Sequence, residues 1–82
     1  MSPEEIASLR ELRAHADQMV AYYASSERKL AQNAAMVAAG LAPLHDQRSL
    51  ERDRESAAKF RRWAAAADAA LAILATSESE AA

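Results

Sequence analysis

Helix-breaking residues occur at only two places in this chain. Pro3 stands near the start, where the first turn of a helix accepts it, and Pro43 follows the single glycine, Gly40, by three positions. Elsewhere the sequence is rich in alanine, the strongest helix former, at 23 of 82 positions. Such a chain has one point at which to reverse direction. The pattern predicts an all-α fold: an antiparallel two-helix hairpin with coiled-coil-like spacing, in a single domain over residues 1–76.

Ser2-Pro3-Glu4-Glu5 reads as a helix start, with Ser2 as cap, Pro3 in the first helical position and Glu5 where a capping-box carboxylate stands. Helix 1 is expected over residues 3–39. Ile6, Leu9, Ala16, Val20, Tyr23, Leu30, Ala34 and Val37 follow steps of three and four, and Arg13 and Glu27 fill the polar positions of the same series. Ser25-Ser26 is the one place where that helix invites interruption, because serines compete for nearby backbone groups. Gly40-Leu41-Ala42-Pro43 ends it, giving a turn over residues 40–44. Helix 2, over residues 45–76 with Asp46 as candidate cap, runs on Leu50, Asp53, Ala57, Phe60, Ala64, Ala67, Leu71 and Leu74. Residues 77–82 carry Glu78 and Glu80 and no large apolar side chain, and are expected to be a disordered acidic tail.

Folding back near residue 43 sets opposite each other residues whose numbers add to about 86. Glu27 then meets Lys59, Asp53 meets Asn33, Leu12 meets Leu74 and Ala16 meets Leu71, with Tyr22 across from Trp63. Leu12, Met19, Tyr22, Leu41, Trp63, Ala70 and Ile73 flank the heptad positions and make the apolar stripe wider than one hairpin can cover. Only 18 sizeable apolar side chains are available once Ala and Met1 are set aside. A core that thin calls for further burial, met by dimerisation into a four-helix bundle or by docking on a partner.

Several function classes fall away. No cysteine is present, so thiolate chemistry and Cys-ligated zinc are excluded. Glu11 and His15 share a helical face at metal-ligand spacing, but no second pair completes a site. No serine has a histidine placed to act as its base, and a lone glycine cannot build a phosphate loop. No catalytic residue, metal site, cofactor or small-molecule substrate is expected. The longest apolar run, Ala69 to Ala75, has seven residues where a membrane span needs ~20, and the start is acidic rather than signal-like. The expectation is a soluble, cytoplasmic protein.

With a net charge of −2 there is no overall field to recruit nucleic acid. The charge is nevertheless uneven: residues 48–62 hold six basic and three acidic residues, leaving −5 on the remainder. Arg48, Arg52, Lys59 and Arg62 form a stripe on helix 2, with Glu51 and Glu55 spaced for mutual surface pairing. Trp63 adjoins this stripe, and Trp, Tyr and Arg dominate interface hot spots. The partner-binding candidates are accordingly Trp63, Arg62, Tyr22, Arg52 and Lys59. The expected function is a non-catalytic protein-interaction module, an adaptor, inhibitor or structural subunit, whose partner is itself as a homodimer and/or a larger protein. The alternative is a nucleic-acid-binding hairpin dimer using the basic stripe.

Overall fold

The computed structural model describes the backbone of residues 2–81 and the side chains of residues 2–76. Among them all regular structure is helical: α1 (Pro3–Tyr23), α2 (Ser25–Ala38) and α3 (Gln47–Ala81). Ala24, between α1 and α2, keeps α-helical dihedrals (φ −61°, ψ −29°), and its N–H reaches back three residues to the Ala21 carbonyl at 3.3 Å. The helix tightens there without turning. α1 and α2 thus form one arm against α3, and the chain does not fold back at Ser25-Ser26. The molecule measures 65 × 19 × 13 Å, and its radius of gyration of 18.6 Å far exceeds the ~12 Å of a compact domain of this length.

Each helix end is set by a local signal. Ser2 caps α1 by accepting a hydrogen bond from the Glu5 N–H at 3.2 Å, with Pro3 following in the first turn. Asp46 precedes α3 and accepts from the Arg48 N–H at 3.1 Å and from the Ser49 hydroxyl at 3.2 Å. At the end of α2 the Leu41 N–H bonds the Met36 carbonyl at 2.9 Å and the Gly40 N–H bonds the Val37 carbonyl at 3.0 Å, the two bonds of a Schellman motif. This closure needs a left-handed residue, and Gly40 supplies it at φ 78°. A Cβ built on Gly40 would meet nothing within 4 Å, so Gly40→Ala should cost only the backbone strain, about 1 kcal/mol in a urea melt. Gly40→Asn, which tolerates that conformation better, should cost less.

The return is longer than the turn expected over 40–44. Residues 39–46 separate α2 from α3, and the chain runs back beside the last turns of α2 before α3 begins. The buried Asn33 holds it there: its Oδ1 accepts from the His45 N–H at 3.0 Å, and its Nδ2 donates to the His45 carbonyl at 3.0 Å and to Gln47 Oε1 at 3.1 Å. Asn33 therefore clasps the loop rather than facing Asp53. Further along, Arg13 pairs with Asp68 and Glu27 with Arg54, so residue i stands level with residue 81 − i. The register is displaced about one and a half turns from the expected one, and Glu27 meets Arg54 instead of Lys59.

The heptad series of α3 survives intact. Leu50, Ala57, Phe60, Ala64 and Ala67 are buried, and Asp53, Leu71 and Leu74 are half-buried. In the first arm the series holds as far as Tyr23 and meets the seam again at Leu30. Beyond Ala24 the inward positions are Ser26, Leu30 and Asn33, while Glu27, Ala34 and Val37 are exposed. Two successive steps of three, from Val20 to Tyr23 to Ser26, rotate the seam by one residue, the effect of a three-residue phase slip in a coiled coil. Ser26 is left 2 % exposed, and its hydroxyl has no hydrogen-bond partner among the described residues. Ser26→Ala should therefore raise stability by about 1 kcal/mol, read as a shift in denaturation midpoint at constant slope. α3 itself continues to Ala81, past residue 76. A disordered acidic tail is the expectation over residues 77–82, whereas the helical backbone of α3 runs on to Ala81; the tail's side chains lie outside the described residues.

Candidate interaction face

The two flanks of the hairpin differ. One carries the ion pairs. Arg13 touches the Asp17 carboxylate on its own helix and bonds Asp68 across the hairpin at 2.7 Å, and Arg54 reaches Glu27 at 3.2 Å. Hydrogen bonds to Asp17 first and to Asp68 second hold the Arg13 guanidinium above its ordinary pKa, so the arginine side of this clasp stays charged.

The other flank is apolar and uncovered. Ser2, Glu4, Glu5, Ser8, Leu9, Leu12 and Ala70 line an open groove between the start of α1 and the later part of α3. Leu12 continues from it into a shallow dip shared with Trp63 and Ala66. Ile73, 66 % exposed, extends the row Trp63, Ala66 and Ala70 at steps of three and four. This face exists because α3 carries apolar residues beside its heptad positions and α1 presents Leu9 and Leu12 toward them. A smaller apolar set, Val37, Leu41 and Leu44, is exposed at the loop end.

Phe60 anchors the centre of the face. Its ring stacks with Tyr23 (centroids 6.4 Å apart, planes at 11°) and meets Trp63 edge-on at 5.1 Å and His15 edge-on at 5.8 Å. Lys59 Nζ lies 4.9 Å from the Phe60 centroid and 5.0 Å from that of Trp63, within cation–π range of both. Trp63 is 41 % exposed, with Phe60 and Lys59 against its ring and a shallow dip shared with Leu12 and Ala66 beside it. Tyr22, 74 % exposed, does not stand across from Trp63; its ring partner is its neighbour Tyr23, at 4.9 Å. Leu12 and Ala66 occupy the place beside the indole that the sequence assigned to Tyr22.

The basic candidates divide. Lys59 belongs to the aromatic cluster, whereas Arg52 lines a polar dip with Arg48, Glu51 and Glu55 toward the loop end, and Arg62 is exposed next to Trp63. Among the described residues none of Arg48, Arg52, Lys59 and Arg62 makes an ion pair within 4.0 Å. The salt-bridged face expected on α3 is thus replaced by bridges between the arms, through Arg54 and Arg13. In the sequence Arg13 marks only a polar heptad position, and it is the register of the hairpin that sets Asp68 opposite it.

His15 packs against Phe60 rather than into a ligand set, and among the described residues no group of three or more His, Asp or Glu side chains could hold a metal ion. Among those residues no helix is long and apolar enough to cross a membrane. Searches against family models, curated proteins and solved structures gave no match to this chain.

Proposed function

We propose that the chain is a non-catalytic protein-interaction module that binds through the Leu12–Trp63 face, completing a helical bundle with a second copy or with a larger protein. The observation that carries this reading is the lack of large buried side chains. Among the described residues Leu50 and Phe60 are the only sizeable apolar side chains that are fully buried, the others being Ala16, Ala57, Ala64 and Ala67, with Met19, Val20 and Tyr23 half-buried against them, while Leu12, Trp63 and Ile73 remain exposed along one flank. Fully burying a large side chain contributes ~1.5–3 kcal/mol, so covering what remains exposed of these three adds on the order of 2–4 kcal/mol to a core built mostly of alanine. A rigid aromatic in an apolar surround is also the kind of residue that dominates interface hot spots.

The test compares binding by the immobilised chain and by Leu12→Asp and Trp63→Asp variants. Binding that survives about 1 M salt, where the Debye length is ~3 Å, and that both variants abolish, is the expected result. The unpaired state of Arg52, Lys59 and Arg62 favours one rival, nucleic-acid binding through the basic stripe. Under that rival, affinity falls steeply with salt, and Arg52→Ala, Lys59→Ala and Arg62→Ala each weaken it, while Leu12→Asp has no effect.

A further inference from the structure

Charge is distributed along the hairpin by length. Cut level with Trp63 by the register of the ion pairs, the half containing the loop, residues 19–62, holds eight Lys/Arg and five Asp/Glu, for +3. The half containing both termini, residues 1–18 and 63–82, holds two Lys/Arg and seven Asp/Glu, for −5. The same polarity runs along the apolar face. Glu4 and Glu5 line its groove at the open end, and Arg48 and Arg52 stand toward the loop end at helical steps of four and seven leading through Lys59 to Trp63. By the register of the ion pairs, Trp63 lies level with residue 18, close to the midpoint of the first arm.

We propose that the occupant of this face is a second copy of the same chain, laid antiparallel about a two-fold axis beside Trp63, with Glu4 and Glu5 of each copy against Arg48 and Arg52 of the other. This deepens the reading above and rests on it. An axis at mid-length is the one placement that overlaps the two rods fully, brings indole to indole, and sets each acidic open end beside a basic loop half. A parallel pair would align like with like. Arg48 and Arg52 share their dip with Glu51 and Glu55, so the local balance there is near neutral, and the preference for antiparallel pairing comes from the two halves as well as from the four named side chains. The area agrees. The chain exposes 5910 Å², whereas a compact monomer of 8.9 kDa exposes about 4,800 Å². The excess covers the ~800 Å² per partner that a standard stable interface buries.

Charge reversal tests the arrangement by sedimentation equilibrium of the purified chain at low salt, with helix content followed by circular dichroism. The double variants Glu4→Lys/Glu5→Lys and Arg48→Glu/Arg52→Glu should each weaken self-association about tenfold, since both symmetry-related contacts become repulsive. The quadruple variant carrying both reversals should return close to the parent value, although it contains every substitution that might disturb folding. Double variants that associate like the parent overturn the antiparallel pairing, because like-with-like contacts stay like-with-like when reversed. A quadruple variant as weak as the doubles also overturns it. A parent chain that stays monomeric through the micromolar range overturns self-pairing and leaves docking on a larger protein standing, whereas unchanged binding by Leu12→Asp and Trp63→Asp overturns the interaction face itself.

Discussion

Asn33→Ala should destabilise the hairpin by about 3 kcal/mol, more than any other polar substitution in the chain. The side chain is 2 % exposed and makes three hydrogen bonds to the returning loop, two of them to the backbone of His45. Truncation leaves the half-buried His45 N–H and carbonyl without those partners, and each buried group left unpaired costs ~1–3 kcal/mol, while the exposed Gln47 side chain turns to water. The loss should appear in urea denaturation with an unchanged slope. Asn33→Asp should be nearly as damaging at neutral pH, because it keeps the acceptor for the His45 N–H but turns a second oxygen toward the His45 carbonyl. Its folded-state carboxyl pKa is then raised above the unfolded value, so stability is regained as pH falls through that range, when the protonated oxygen can donate. The parent chain should show no such gain. Loss of the clasp should also release the register, so that Arg13–Asp68 and Glu27–Arg54 weaken together although neither touches Asn33.

Trp63→Ala should weaken association by about 2 kcal/mol, roughly 30-fold in Kd, while leaving helix content nearly intact. The indole projects from the middle of α3, where Ala is the better helix former, and it is 41 % exposed. The contrast lies with Phe60, whose ring touches Tyr23, Trp63 and His15 and is 8 % exposed. Substitution there should damage the hairpin itself. If Trp63→Ala lowers helicity and association in the same proportion, the indole serves the fold and not a partner.

What the sequence revealed and what it hid follow from the range of each interaction. Caps are local, and Ser2, Gly40 and Asp46 all act where their residue types and neighbours placed them. The α3 heptad was legible from Leu50 to Leu74 because no phase change occurs along it. The slip after Tyr23 was not legible: Ala24 is no breaker, and Ser25-Ser26 marked the neighbourhood without revealing that the helix tightens and continues. Register was hidden as well, since it depends on how Asn33 engages a loop twelve residues away. Every pairing that assumed a tight turn at residue 43 moved with it, including Glu27 with Lys59 and Tyr22 with Trp63. The uncovered face fared better. Of the seven residues that the width of the stripe marks as surplus, Leu12, Tyr22, Leu41, Trp63 and Ile73 are exposed, and Met19 and Ala70 are half-buried.

Trp63 is the only tryptophan in the chain and stands on the face in question, so its own fluorescence reports whether that face is covered. Emission and acrylamide quenching should be followed as the purified chain is diluted from high to low micromolar concentration, with helix content recorded in parallel. The expected result is a blue-shifted, quencher-protected indole at high concentration that becomes red-shifted and accessible on dilution while the helices persist. An indole that stays accessible and red-shifted at every concentration, in a chain that remains helical throughout, contradicts the self-paired face.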